Sequence, residues 1–277
     1  MKTSSNYTTM NNTTPFECFG FTWRVGRKWG IAHPEHTCWN DGKQVELAKP
    51  NTPNYPEIKL GIGHNPKEFN GKTYPWTVGY VSSLETIKYG HLSVDFILPY
   101  GENIWPAIWL SDGETWPPEI DIVEAWTNTL FKGSWCYRKV KNGIIFPFTH
   151  CVYPGFVTGS TPETSTRHTR PNKCGGTKLK YLHTNRRQNT CDLYWTPGFI
   201  DIYYNGYRVV HETDTKILDY FNASNGMAIH LNNYVTTKFS GKNYNKLPEG
   251  DERCLHITGL RYNPFWTPDS EFHLNLK

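Results

Sequence analysis

Strict two-residue alternation, repeated in short runs, constrains this chain more than any other feature of its sequence. Leu92, Val94, Phe96 and Leu98 alternate with His91, Ser93 and Asp95. Ile104, Ile108 and Leu110 alternate with Trp105, Ala107 and Trp109, and Ile120 and Ile122 alternate with Glu119 and Asp121. Successive side chains of a strand point to opposite faces, so each run offers one apolar face to a core. Asn205-Gly206, between Phe199 to Tyr204 and Tyr207 to Val210, is the signal of a two-residue hairpin turn. Met227, Ile229 and Leu231 mark another strand, and His256 to Tyr262 a late one. No segment of helical period competes. The reading is all-β, with two antiparallel sheets packed face to face.

Composition narrows the class. The chain has 277 residues, of which 19% are charged and 15% aromatic. That balance excludes disorder, collagen and coiled coil. No apolar run approaches the ~18 residues of a membrane-spanning helix, so no membrane association is expected. No linker or fixed-period repeat divides the sequence. We expect a flexible N-terminus over 1–14 and a single domain over 15–277. Met1 to Thr14 is rich in Ser, Thr and Asn and lacks the apolar stretch of a secretory leader. Seven cysteines leave at least one outside any intrachain pairing, with room for up to two disulfides.

The net charge of +4 is unevenly spread. Lys132 to Arg187 holds eleven Lys and Arg and one acid, Glu163, so the rest of the chain is net negative. Its Pro, Gly, Thr and Asn content reads as long loops. Three readings stay open: a solvated loop, recognition of an anionic polysaccharide, or nucleic-acid binding. The last has the charge without an accompanying motif, so no nucleic-acid partner is expected. Arg167 and Arg170 are the candidates for holding sulfate or carboxylate oxygens bidentately.

Glu119-Ile120-Asp121-Ile122-Val123-Glu124 carries the chemistry. Glu119 and Asp121 share a strand face. Strict alternation sends Glu124 to the other face; a β-bulge, one extra residue, returns it beside them. Three acids in a row repel one another, so the row is costly unless one is protonated or the group has work to do. Hydrolysis of a glycoside with retention needs two carboxyl groups about 5–5.5 Å apart, one nucleophile and one acid/base. An Asp between them hydrogen-bonds the nucleophile and separates their pKa values. The rival reading of the acids is a solvated charged strand. Trp105, Trp109 and Trp126 lie nearby as candidate sugar-stacking faces, with core packing as their alternative. Trp116, ahead of Pro117-Pro118, reads as structural. Asn232, after a strand whose face lines a cleft, is a candidate sugar contact.

Trp105-Pro106-Ala107-Ile108-Trp109-Leu110, followed by Glu119-Ile-Asp-Ile-Val-Glu124, resembles glycoside hydrolase family 16, whose signature is an E-x-D-x-x-E or E-x-D-x-E strand. The longer form here is similar to the laminarinase, agarase, porphyranase and carrageenase branches. Gly79 to Ser83, Tyr89 to Leu92, Trp195 to Gly206 and Leu255 to Tyr262 resemble other strands of that family. The resemblance implies a concanavalin A-like β-jelly roll with a concave substrate cleft. By motif position it implies Glu119 as nucleophile, Asp121 as assistant and Glu124 as acid/base. It implies a retaining endo-β-glycanase cutting β-1,3- or β-1,4-linkages of a β-glucan or β-galactan, sulfated or not. A lectin-like glycan-binding jelly roll and a transglycosylase with the same site are the alternatives. A polysaccharide is the implied partner, with a monomeric chain acting outside the cell or at its surface. No redox or organic cofactor is implied. Relatives often hold a structural calcium, but no oxygen-rich loop here signals one, and His33-Pro34-Glu35-His36-Thr37-Cys38 reads as a loop rather than a metal site.

Overall fold

The computed structural model describes residues 6–27, 32–33, 38–99, 104–112, 116–127, 150–152, 154–168, 182, 187–235 and 250–268. Among these, the strands form sheets of eight, nine and four. The eight-stranded sheet runs Tyr7–Thr9, Val45–Ala48, Ile58–Leu60, Leu255–Asn263, Gly90–Ile97, Gln188–Trp195, Ile200–Tyr204, Tyr207–Glu212. The nine-stranded sheet runs Thr166–Arg167, Gly155–Thr158, Glu119–Thr127, Ile104–Asp112, Met227–Val235, Tyr80–Ile87, Phe21–Val25, Phe16–Cys18, with His150–Val152 added beside Glu119–Thr127. Every pairing within these two sheets is antiparallel. The two sheets make the jelly-roll sandwich that the alternation implies.

The apolar halves of the alternating runs meet between the sheets. Leu92, Val94, Phe96, Leu193, Ile202 and Ile257 of one sheet pack in one buried cluster with Val81, Ile108, Leu110, Ile120, Ile229 and Leu231 of the other. Each such side chain contributes about 1.5–3 kcal/mol of transfer free energy, which fixes both faces of every strand at once. Asn205 and Gly206 have φ of 48° and 82°, the paired positive values of a type I′ turn, so this hairpin takes the twist of its strands.

Two elements depart from the sequence expectation. Thr215–Ala223 is an α-helix, capped by the Asp214 carboxylate, which accepts from Lys216 N at 3.0 Å. It buries Ile217, Leu218 and Phe221, and Phe221 meets Phe156 of the nine-stranded sheet with ring centroids 5.6 Å apart. The stretch expected to be flexible holds an edge strand, Tyr7–Thr9, paired with Val45–Ala48. Its anchor is Tyr7, whose OH donates to Glu57 Oε1 at 3.1 Å beneath the Lys59 ammonium. Cys18, Cys191 and Cys254 are buried free thiols, and the buried Cys38 thiol donates to Val235 O at 3.5 Å. The side chains of Cys136, Cys151 and Cys174 lie outside the described residues.

The four-stranded sheet (Ala32–His33, Cys38–Asn40, Lys72–Val78, Ile62–Phe69) builds a wall. Its Cys38, Ile62, Trp76 and Val78 pack with Tyr80, Ile104, Ala107, Trp109 and Tyr234 of the nine-stranded sheet. This second apolar cluster lies on the sheet face away from the sandwich core. The chain passes from wall to sheet at Gly79, where a Cβ would meet Gln44 O at 2.5 Å and Leu60 Cα at 2.8 Å. Only glycine fits that approach.

Candidate active site

The acid row is a product of one local irregularity. Along the strand pair, Ala107 lies opposite Glu124 and Ile108 opposite Val123, but Trp109 lies opposite Asp121. Ile122 is therefore the extra residue of a β-bulge. Ile120, Ile122, Val123 and Ala125 all enter the sandwich core, which leaves Glu119, Asp121 and Glu124 on the opposite face. A bulge takes a carbonyl out of the ladder, and here Tyr204 OH crosses the core from the other sheet to donate to Ile122 O at 2.6 Å. That bond satisfies a buried acceptor and ties the register of the acid row to the opposing sheet.

All three carboxylates are withdrawn from water, at 7%, 3% and 4% exposure for Glu119, Asp121 and Glu124. Burial and the charges of Glu119 and Glu124 push the Asp121 carboxyl well above the ordinary aspartate range, against the opposing pull of Arg167. Burial also raises Glu119, but less far, because Arg167, the Trp116 indole and Asp121 all favour its charged form. Trp116 Nε1 donates to Glu119 Oε2 at 2.8 Å. Of the two, Asp121 is pushed further toward its protonated form, in which it donates to the Glu119 carboxylate. Asp121 Oδ2 has no hydrogen-bond partner among the described residues. Arg167 Nη1 stands 3.9 Å from Glu124 Oε2 with half its side chain exposed. Desolvation works against the Arg167 charge, but the three carboxylates outweigh it and raise its pKa.

The remaining candidates divide. Trp109 is 8% exposed and packs in the cluster under the wall rather than standing open as a platform. Its indole donates to Asn232 Oδ1 at 2.7 Å, so the Asn232 carbonyl orients Trp109. Trp105, partly buried, meets Tyr234 edge-on with centroids 6.0 Å apart. The Trp126 side chain and Arg170 lie outside the described residues, as does most of the Lys132-to-Arg187 segment.

Sequence reasoning missed two contributors. Ahead of two prolines Trp116 reads as structural, yet its indole donates to Glu119. His230 drew no notice because its strand reads as apolar. It stacks on Trp109 with centroids 4.2 Å apart, and its ring nitrogens meet Tyr80 OH at 2.7 Å and Ser111 Oγ at 2.8 Å. Burial, with Arg27 and Arg24 nearby, holds its pKa down to about 3, so the ring is neutral. Its alternation with Ile229 and Leu231, which puts it on the face away from the core, is the sequence signal that marks it. Among the described residues no three His, Cys, Asp or Glu side chains converge as a metal site.

No protein-family model matches the chain. Two curated proteins of Rhizobium meliloti (strain 1021) are similar over a short stretch. Endo-1,3-1,4-beta-glycanase EglC is 38% identical over 60 residues, 21% of this chain and 12% of its own length. Endo-1,3-1,4-beta-glycanase ExsH is 38% identical over 61 residues, again 21% of this chain and 12% of its own length. Solved structures agree over most of the fold. Porphyranase B of Zobellia galactanivorans superposes with a TM-score of 0.65 at 13% identity, over 93% of this chain and 90% of its own. A Thermotoga petrophila RKU-1 endo-1,3-beta-glucanase (laminarinase) domain gives 0.60 at 16%, over 92% and 95%. A Bacteroides ovatus mixed-linkage glucan GH16 protein gives 0.60 at 17%, over 91% and 98%. The chain has the fold of these family 16 proteins, as its motif resemblance implies.

Proposed function

We propose that this chain is a family-16-type glycoside hydrolase, a retaining endo-β-glycanase acting on internal linkages of a β-glucan or β-galactan. The observation that carries the reading is the bulged row of three buried carboxylates on one sheet face. The names of the superposed structures and of the two short curated matches support the same reading. In the mechanism, anionic Glu119 attacks the anomeric carbon while Glu124 gives a proton to the departing glycosidic oxygen. The Trp116 indole holds the Glu119 carboxylate in place, and the Asp121 proton tempers its charge until the sugar arrives. Glu124 then takes a proton from water, which attacks the same carbon and releases the sugar with retained configuration. Arg167 offsets the negative charge of the row. The chemistry needs no cofactor, and the chain acts as a monomer on its polysaccharide.

A non-catalytic binding module is the weaker reading, because burying a carboxylate triad costs stability that glycan binding does not require. The test is reducing-sugar release from laminarin, lichenan, agarose, porphyran and carrageenan, with Glu119→Ala as control. We expect oligosaccharide products from at least one polymer and none from the variant. Polymer binding without release by either protein would replace the glycanase reading with the lectin one.

A further inference from the structure

A second charged feature lies on the same sheet face as the acids, at its far side. Residues in direct register share a face, and Asp121, Trp109, His230, Ser82 and Arg24 form one continuous row across five strands. Val81 and Val25, the next pair along, enter the sandwich core, which confirms that Arg24 points the other way. Four strand spacings separate Arg24 from Asp121, roughly 19 Å, the reach of an oligosaccharide rather than of one sugar.

Arg24 is partly exposed, and its Nε is buried without a hydrogen-bond partner among the described residues. Glu17 and Glu85, the acids of adjoining strands, are turned to Thr22, whose Oγ1 lies 2.7 Å from a carboxylate oxygen of each, its single proton serving one of them, and whose N donates to Glu85 at 2.9 Å. No ion pair reaches Arg24 among the described residues. Arg27 follows Gly26, which is bonded to Tyr80 O and to Ser82 Oγ. Its charge is felt at Tyr80, His230 and Tyr234, so it adds positive potential to the same region. In the neighbouring strands runs the neutral ladder of Tyr80, His230 and Ser111, which offers Arg24 no counter-charge.

We propose that Arg24 forms a subsite for an anionic substituent of the glycan, a sulfate ester or a carboxylate, several sugars from the cleavage point. An unpaired guanidinium on a half-buried sheet face is stabilised by an oxyanion that occupies its fork. The subsite rests on the glycan-cleaving reading above for its substrate class. It differs from any role of the Lys132-to-Arg187 segment, since it sits on the sheet itself.

The test measures affinity and turnover separately. Calorimetry with Glu119→Gln protein compares a sulfated galactan oligosaccharide, its desulfated form and a uronate-containing oligosaccharide. We expect one anionic ligand to bind about 10-fold or more tightly than the neutral one, which identifies the substituent, and Arg24→Gln on that background to erase the difference. In active protein, the ratio of kcat/KM on that anionic substrate to kcat/KM on its neutral counterpart should fall at least tenfold with Arg24→Gln and less with Arg24→Lys. If Arg24→Gln does not fold, Arg24→Lys carries the comparison, since it keeps charge and loses the fork. Equal affinity for all three ligands, or a preference untouched by Arg24 substitution, overturns the subsite and leaves the glycanase reading standing. Preferential, Arg24-dependent binding with no turnover of any glycan keeps the subsite and defeats the glycanase reading.

Discussion

A single buried acid, Glu57, and a buried row of three acids sit on opposite sheets, and they are built by opposite rules. Glu57, 5% exposed, is surrounded by partners. His256 Nδ1 lies 2.5 Å from its Oε1 and Tyr7 OH donates to the same oxygen, while Lys59 nearby pairs with Glu46 and, at 3.6 Å, with Asp251. Glu119, Asp121 and Glu124 instead face one another, with one indole and a half-exposed arginine for relief. The first arrangement lowers its own electrostatic cost and fastens the N-terminal edge strand. The second keeps its cost, held by a bulge, a cross-core hydrogen bond and the core contacts of four neighbouring residues. A buried acid with matched partners serves the fold; buried acids crowded together are maintained by the fold for chemistry.

The contrast can be broken by substitution. Glu119→Ala should lower turnover on the order of 10⁴–10⁶-fold with melting temperature unchanged or raised, since one repulsive buried charge is gone; kinetics and thermal unfolding read both. Glu124→Ala should slow polysaccharide hydrolysis by about 10²–10⁴-fold yet spare the first step on aryl glycosides with good leaving groups. Equal loss on both substrates would point away from an acid/base role. Glu57→Ala should do the reverse of Glu119→Ala. It leaves the buried His256 ring and the Tyr7 hydroxyl without their shared acceptor, which costs about 1–3 kcal/mol, and should lower the melting temperature by ~5 °C while kcat at low temperature stays within about twofold.

The pH response sharpens the same division. His230 is held neutral down to about pH 3, whereas its unfolded counterpart titrates near 6.5. The unfolded chain therefore binds the extra proton in that interval, and stability falls as pH drops from about 6.5 toward 3. Asp121 acts in the other direction. Its folded pKa is raised, so its contribution is lost as pH rises from the ordinary aspartate value through the raised one. Denaturant midpoints across this range should show a shallower acid limb in His230→Gln and a shallower rise-dependent loss in Asp121→Asn. The smallest expected effect is that of Tyr204→Phe, about 1 kcal/mol for one hydrogen bond, with a fall in kcat larger than that stability change predicts because the bulge loses its tie.

Much of this was legible in the sequence because it is written in local pattern. The period-2 runs gave the strands and their core faces, Asn205-Gly206 gave the hairpin, and the residue inserted between Asp121 and Glu124 gave the bulge. The short helix was within reach too: Asp214 is a capping residue, and Ile217, Leu218 and Phe221 share one helical face. Its two and a half turns give only a weak periodic signal. The Tyr7–Thr9 strand exists through partners some forty to fifty residues away, which no local window contains. The same holds for Tyr204 on Ile122, Asn232 on Trp109 and the wall that closes over Trp109. Each is a contact made by topology, and each decides how open or how fixed the site is.

The central claim is that Glu119 attacks the sugar and becomes covalently glycosylated. An activated 2-deoxy-2-fluoro glycoside, matched to the best polysaccharide, slows the release of such an intermediate enough for mass spectrometry of the intact protein and its peptides. The account predicts a mass increase of one fluoroglycosyl unit located on Glu119, absent in Glu119→Ala and slow to clear in Glu124→Ala. A label on any other residue, or hydrolysis of the reagent with no labelled protein at any time point, would contradict it.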